Sequence, residues 1–106
     1  FVFSTARLEH LRALRARLEA QGNPYLVFIN PLSRPVLDAL ARLPAAAELD
    51  RLRRELRRIF PDLVDLSDSR WSAPENFLRF DPFHYLPAVG AAFVNEELLP
   101  RLAHEE

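Results

Sequence analysis

An aspartate and a histidine three residues apart are the most chemically suggestive feature of this 106-residue sequence. Asp81 and His84 stand in the run Phe-Asp-Pro-Phe-His-Tyr, and a helical pattern begins at Pro87. In a nucleophilic triad, the histidine takes a proton from the nucleophile and a carboxylate holds that histidine in the correct tautomer. The spacing predicts that an Asp81 oxygen contacts Nδ1 of His84 and that Nε2 stays free. A nucleophile in a recognisable setting is not found in the sequence.

A purely structural role for the same two residues is the alternative. Asp-x-x-His pairs arise by chance, and an aspartate in a turn commonly accepts hydrogen bonds from nearby backbone amides. Asp81 would then cap the loop, and His84 would pack among the neighbouring aromatic side chains. The two hypotheses differ in the state of Nε2, which a structural histidine keeps inside the protein and hydrogen-bonded.

The composition excludes several classes of function. The formal net charge is −1 and all 14 basic residues are arginine, a balance that does not favour a dedicated nucleic-acid binder. Because there is no cysteine, thiol catalysis, disulfides and thiolate metal sites are excluded. We predict no metal ion and no other cofactor. The run from Arg53 to Arg58 could suggest a phosphate-binding patch, but the acidic residues mixed into it are typical of a solvated helix face.

The segments that must position the pair predict an α/β fold. Apolar residues dominate Tyr25 to Asn30 and Leu63 to Leu66, and such continuous runs are typical of strands buried on both faces of a parallel sheet. More than 30 residues connect the two runs, which predicts parallel strands with a right-handed crossover. The spacing of apolar residues also predicts helices, over residues 5–21, 36–43, 46–60 and 87–101.

Two stretches outside the helices could line a binding site. Asn30 and Ser33 follow the first predicted strand, at the edge of an α/β sheet where ligands bind, so both are candidate substrate-binding residues. The alternative is that they only satisfy the backbone of the turn. From Ser67 to Leu86 the sequence predicts a long irregular segment, and its many aromatic residues indicate that this segment is packed rather than disordered.

A buried strand that ends at Asn30, a crossover, a second strand that ends at Leu66 and then the block from Asp81 to Gly90 resemble the C-terminal part of SGNH/GDSL-type hydrolases. The resemblance is strongest to the branch that includes proteins of bacterial surface-polymer acylation. That family ends with an Asp-x-x-His loop, then a glycine and a terminal helix, and Asp81, His84 and Gly90 match this block. The resemblance spans roughly Tyr25 to Leu99, and its specific part is the fifteen residues from Asn76 to Gly90.

The resemblance implies both a fold and an activity. The fold would be the C-terminal half of a three-layer α/β/α sandwich with parallel strands, so that residues 1–106 form a single partial domain. Asp81 would orient His84, and His84 would be the base of a serine esterase or acyltransferase acting on O-acyl groups. The substrate would be an acylated small molecule or polysaccharide, without nucleic acid. An exported or membrane-tethered location is also implied.

The sequence departs from the family at the nucleophile. The Gly-Asp-Ser block and the blocks that supply oxyanion donors are missing, so a missing N-terminal half or a partner chain would have to supply them, and the chain alone is predicted to be inactive. The alternative is a non-catalytic α/β interaction module, or a degenerate relative, that binds a protein or glycan through the arginine-rich helix and the aromatic loop. The five serines match none of the family's blocks: Ser4, Ser33, Ser67, Ser69 and Ser72.

Overall fold

The computed structural model describes residues 5–103 and is a small α/β protein with a short parallel sheet and a short antiparallel sheet. The first half contains α1 (Thr5–Gln21), β1 (Phe28–Ile29), α2 (Arg34–Ala41), α3 (Ala46–Ile59) and β2 (Val64–Asp65). The second half contains two 3₁₀ turns (Arg70–Ser72 and Pro74–Asn76), β3 (Phe77–Leu78), β4 (Asp81–Tyr85), α4 (Pro87–Phe93), a π-helical turn (Val94–Leu98) and α5 (Leu99–Ala103).

Strands β1 and β2 are parallel, as predicted, but the ladder is shorter than the sequence indicated. The amide of Val64 donates to the carbonyl of Val27 and the amide of Leu66 donates to that of Ile29, both at 3.1 Å. Each strand has a single neighbour within residues 5–103. A two-stranded sheet receives little support from its own hydrogen bonds, which explains why only two residues of each strand are regular.

The predicted helices are present with small shifts at their ends. Helix α2 begins at Arg34 because Pro35 is well suited to the first turn of a helix. The C-terminal helix reaches Ala103 through the π-helical turn, where the amide of Leu99 bonds to the carbonyl of Val94. This turn ends two residues before Pro100, which lacks a donor and whose ring crowds the preceding turn of an α-helix. No helix within residues 5–103 combines the length and apolarity needed to cross a bilayer.

The residues that lead into β1 send neighbouring side chains into two different apolar clusters, the alternation that is typical of extended chain. Leu26 packs against a cluster around Phe93 of α4, whereas Tyr25 and Val27 pack against a cluster around Leu8 of α1. Helices therefore cover apolar side chains from alternate positions of the parallel pair. The fully buried members are Val64, Leu66, Trp71, Phe93 and Leu98 in the first cluster, and Leu8, Ile59 and Phe60 in the second.

The prediction that the first strand is buried on both faces is wrong for this structure. No residue from Tyr25 to Ile29 is fully buried, and Phe28 is 37% exposed. The physical reason is that the sheet has only two strands within residues 5–103, so β1 is an edge strand and lacks the covering that an inner strand of a parallel sheet receives. Strand β2 is an edge strand of the same length, but its Val64 is buried because it belongs to the apolar cluster around Phe93.

The prediction of an irregular segment from Ser67 to Leu86 is wrong in its second half. Strands β3 and β4 form an antiparallel hairpin, in which Phe77 lies opposite Tyr85 and Leu78 lies opposite Asp81. Strand propensity did not indicate it because Asp and Pro are disfavoured in strands. The aromatic residues are only partly packed, since Phe77 is buried and Phe80 is 91% exposed.

Replacement of Phe93 should produce the largest loss of stability of any single truncation near the hairpin. Its ring is 1% exposed and lies 5.1 Å from the ring of Tyr85 and 6.0 Å from that of Phe28, between centroids. We expect Phe93→Ala to lower the free energy of unfolding by about 3–5 kcal/mol, measured by urea denaturation. Phe83→Ala, at a position that is 67% exposed, is the matched control and should change it by about 0.5 kcal/mol or less. Equal losses in the two variants would contradict the packing described above.

Candidate functional site

The backbone between Asp81 and His84 brings the two side chains together locally. Oδ2 of Asp81 lies 2.5 Å from Nδ1 of His84, and Oδ1 accepts a hydrogen bond from the amide of Phe83 at 3.1 Å. Pro82 restricts Asp81 to extended conformations and has no amide of its own to compete for the carboxylate. The predicted contact between Asp81 and Nδ1 of His84 is therefore confirmed.

The hairpin pushes this part of the chain outwards. The ladder steps from the pair Phe77–Tyr85 directly to the pair Leu78–Asp81, so residues 82–84 have no opposing residue on β3. Extra residues on one strand form a bulge, which redirects side chains away from the sheet. The bulge presents His84 to solvent, with its side chain 73% exposed.

The second ring nitrogen of His84 is unoccupied by the protein. Within residues 5–103, Nε2 makes no hydrogen bond, and the only polar contact of the ring is the one between Nδ1 and Asp81. The alternative in which His84 packs among aromatic side chains does not describe this geometry. One part of that alternative does hold, because Asp81 also accepts a bond from a backbone amide, that of Phe83.

The carboxyl group of Asp81 is poised to stay ionised. The hydrogen bond with His84 is the main reason that the pKa of Asp81 lies below its ordinary value, desolvation acts in the opposite direction, and the amide of Phe83 lowers the pKa further. An ionised carboxylate on Nδ1 fixes the tautomer in which Nδ1 carries a proton and Nε2 is an acceptor. The pair can therefore take a proton at Nε2 from an incoming hydroxyl group.

Tyr85 connects this hairpin to the parallel sheet, a role that the sequence analysis missed. Its hydroxyl donates to Oδ1 of Asn30 at 3.1 Å, across 55 positions of the sequence, and its ring packs edge-on against Phe93. Gly90 makes room for the ring, because a Cβ atom there would lie 2.9 Å from Cε2 of Tyr85. The only local signal was an aromatic residue directly after the histidine and five residues before a helical glycine.

The two predicted substrate-binding residues have different surroundings. Asn30 is exposed at the carboxyl end of β1, and its side chain accepts the bond from Tyr85. Ser33 is 1% exposed, its Oγ has no partner within residues 5–103, and its carbonyl accepts a bond from the amide of Leu37 at the start of α2. The structure therefore connects Asn30 to the hairpin and leaves Ser33 in the interior, away from solvent.

The remaining serines of the described region are engaged in local structure. Ser67 donates to Oδ1 of Asp65, Ser69 donates to the carbonyl of Leu66, and Ser72 donates to that of Ser67. No serine within residues 5–103 is hydrogen-bonded to His84, and Ser4 lies outside the described residues. The pair thus has the geometry that a base and its orienting carboxylate would need, and no serine of residues 5–103 is bonded to it.

Comparison with known proteins adds no relative to this description. No protein-family model matches the chain, and neither a curated protein nor a solved structure is significantly similar to it. Within residues 5–103 no group of three or more His, Asp or Glu side chains could hold a metal ion. The chemical interpretation therefore depends on the geometry of the hairpin.

Removal of His84 should raise the pKa of Asp81. The pKa of this carboxyl is lowered in the folded protein, so the stability it contributes is present above its ordinary pKa and is lost as the pH falls through the lowered value. We expect the carboxyl carbon of Asp81, followed by NMR, to titrate at a higher pH in His84→Ala than in the wild type. His10→Ala, which removes an exposed histidine of α1, should leave the midpoint unchanged. An identical midpoint in His84→Ala and the wild type would refute the contact.

Replacement of Gly90 by alanine should disturb the hairpin although it usually stabilises a helix. Glycine to alanine in a helix normally gains about 0.5–1 kcal/mol. At Gly90 the added methyl group would meet the ring of Tyr85 at 2.9 Å, and that ring is held by Phe93 and Asn30. We therefore expect Gly90→Ala to lose stability in urea denaturation and to shift the amide resonances of β4. A gain of stability with an unchanged spectrum would show that the ring moves freely.

Proposed function

We propose that this chain supplies the base and the orienting carboxylate of a serine-type acyl-transfer site, as an esterase or acyltransferase of O-acyl groups. The observation that carries the proposal is the 2.5 Å contact between Asp81 and Nδ1 of His84, combined with an Nε2 atom that has no hydrogen-bond partner among residues 5–103. A histidine with only a structural role has no need of this combination. The nucleophile would come from another polypeptide segment or a partner chain.

The proposed reaction uses His84 as a proton carrier. Nε2 takes the proton of a serine hydroxyl while the serine oxygen bonds to the acyl carbon, and Asp81 stabilises the imidazolium that forms. The imidazolium then returns the proton to the leaving alcohol oxygen as the ester C–O bond breaks. Water or a second hydroxyl group then bonds to the acyl carbon while Nε2 takes its proton, and Nε2 returns that proton to the serine oxygen as the bond between serine and the acyl group breaks.

The fold supports the proposal at a coarse level. The parallel pair of strands is connected by a helical crossover, and apolar side chains next to it pack into two separate clusters. This arrangement is compatible with one half of a three-layer α/β/α sandwich of the SGNH type. In that interpretation residues 1–106 are a single partial domain. The free side of β1 and the 37% exposure of Phe28 fit a sheet that continues beyond this strand.

The proposed substrate is the O-acyl group of a small molecule or a polysaccharide, and no nucleic acid is involved. The exposed position of His84, on a hairpin rather than in a deep cavity, would let a large acceptor approach from solvent. The formal net charge of −1 gives no electrostatic reason to bind a phosphate backbone. An exported or membrane-tethered location is proposed from the resemblance to surface-polymer acylation proteins alone.

A non-catalytic interaction module is the second candidate, and one observation favours it. Phe80 is 91% exposed and Phe83 is 67% exposed at the tip of the hairpin. Exposed aromatic side chains are frequent anchors in protein interfaces and can stack on sugar rings. In this alternative the hairpin binds a protein or glycan, and the Asp81–His84 contact only stiffens the bulge.

The reactivity of His84 tests the proposal on the chain itself. Diethyl pyrocarbonate acylates neutral imidazole nitrogens, so the free Nε2 atom should react at about pH 8, where an ordinary histidine is neutral. We expect Asp81→Asn to slow the modification of His84 several-fold, measured site by site by mass spectrometry, because the carboxylate makes Nε2 more nucleophilic. His10 in the same molecule is the internal control and should react at an unchanged rate.

The assembled enzyme provides the decisive measurement. Once the chain is joined to or mixed with the polypeptide that supplies the serine, His84→Ala should lower p-nitrophenyl acetate turnover by about a thousandfold or more. His10→Ala should retain full turnover. The double variant Phe80→Ser, Phe83→Ser should also retain turnover of this small ester if the hairpin acts in catalysis, because neither phenylalanine takes part in proton transfer. Near-normal turnover in His84→Ala would exclude the catalytic proposal.

A further inference from the structure

The hairpin that carries the Asp81–His84 pair has little internal support. Its ladder consists of two residue pairs interrupted by the bulge, and β4 is largely exposed in its middle. An isolated two-stranded hairpin is marginally stable in water. The bulge keeps Asp81 and His84 together, but it does not determine where the pair stands relative to the parallel sheet. Contacts between the hairpin and the rest of the protein must do so.

Tyr85 makes the contact that reaches the sheet directly. Its hydroxyl bonds to Oδ1 of Asn30, the residue that follows the last residue of β1. Its ring is enclosed by Phe93, with centroids 5.1 Å apart, and by the backbone of Gly90, where no side chain intervenes. The other hydrogen bond near the end of β4 links the amide of Leu86 to the carbonyl of Asn76, which belongs to the segment leading into the same hairpin.

Because Tyr85 directly follows His84 in β4, the contact between Tyr85 and Asn30 also affects the position of His84. Successive side chains of a strand point to opposite sides, so the inward direction of Tyr85 accompanies the outward direction of His84. The Cα atoms of the two residues are about 3.8 Å apart, and a shift of one is therefore passed on to the other. In acyl transfer, a displacement of about 1 Å between reacting groups can cost about a hundredfold in rate.

We propose that Tyr85 is a positioning residue, whose hydroxyl bond to Asn30 sets where the Asp81–His84 pair stands relative to the carboxyl end of β1. This inference rests on the proposed function, since the carboxyl end of the strands is where a nucleophile from an adjoining strand would meet His84. Tyr85 does not build the pair, because Asp81, Phe83 and His84 hold one another within four residues. It fixes the location of an already formed pair.

The substitution Tyr85→Phe tests the position of the Asp81–His84 pair separately from the formation of the contact between the two residues. It keeps the ring between Phe93 and Gly90 and removes only the hydroxyl that bonds to Asn30. In NMR residual dipolar couplings of the wild-type chain, the amides of residues 77–85 should share one alignment with those of β1 and β2. In Tyr85→Phe, the couplings of the hairpin amides should no longer fit the alignment tensor of β1 and β2. The carboxyl titration of Asp81 should keep its wild-type midpoint in this variant.

The chain offers a matched control in its only other tyrosine. The hydroxyl of Tyr25 donates to Glu19 at 2.6 Å, so Tyr25→Phe also removes one hydroxyl bond, but Tyr25 packs in the other apolar cluster, around Leu8. That variant should leave the alignment of the hairpin intact. Asn30→Ala should reproduce the effect of Tyr85→Phe, and the double variant should show no additional loss, because both remove one bond. Asn30→Asp retains an acceptor for the hydroxyl of Tyr85, so this variant, unlike Asn30→Ala, should keep the common alignment of the wild type.

Three outcomes on the chain would overturn the inference. The hairpin could stay aligned in Tyr85→Phe, Tyr25→Phe could loosen it equally, or the midpoint of Asp81 could shift together with the alignment. The last result would mean that Tyr85 acts by building the pair. Normal melting temperatures, within about 8 °C of wild type for one lost hydrogen bond, would exclude general unfolding as the cause.

Activity of the assembled enzyme distinguishes this inference from the proposed function. With p-nitrophenyl acetate, Tyr85→Phe should lower kcat by about ten- to a hundredfold with little change in KM, because alignment rather than binding is lost. If His84→Ala remains active, the proposed function itself is wrong. If His84→Ala is inactive and Tyr85→Phe is fully active, only the positioning role of Tyr85 is refuted.

Discussion

The packing of the Phe93 ring is the interaction on which the rest of the site depends. This ring meets Phe28 of β1, Trp71 of the first 3₁₀ turn and Tyr85 of the hairpin. Three segments of the chain therefore meet at one ring, and the edge-on pairs with Trp71 and Tyr85 are favourable beyond the area they bury. The polar contacts of the hairpin lie at the surface, where water competes with them. Apolar packing behind the hairpin thus holds the hairpin against the protein, and the bond from Tyr85 to Asn30 sets its position on that apolar support.

The arginine-rich helix α3 contributes differently. Arg53 contacts Asp50 on its own helix, and Arg57 reaches Asp65 at the end of β2, both at 3.2 Å. Arg58 similarly pairs with Glu55 of the same helix at 2.7 Å. Exposed pairs of this kind add little stability, about 0–1 kcal/mol each. Their geometry agrees with the interpretation of a solvated helix face, and it leaves the aromatic hairpin as the more distinctive surface of the protein.

The extent to which the sequence predicted the structure follows the range of the interactions involved. Leucine spacing located α1 and α3 because helical periodicity is local, and the long crossover indicated that β1 and β2 are parallel. The Asp81–His84 contact was also predictable, because both partners lie within one turn of chain. The bond from Tyr85 to Asn30 was not, since no local pattern marks a contact across 55 positions. The exposure of β1 was missed because burial of a strand depends on neighbours that its own residues do not specify.

The short separation of Asp81 and His84 has a consequence for the order in which the site forms during folding. Closing a loop of about ten residues takes about 10–100 ns, so two side chains three positions apart can meet long before the distant parts of a domain do. The contact of Tyr85 with Asn30 must wait until the helices between them have folded and docked. The contact between Asp81 and His84 is therefore expected among the first features to form, and the placement of the hairpin against β1 among the last. A chain whose helices have not yet docked would carry the contact between carboxylate and imidazole on a hairpin that has no fixed position relative to β1.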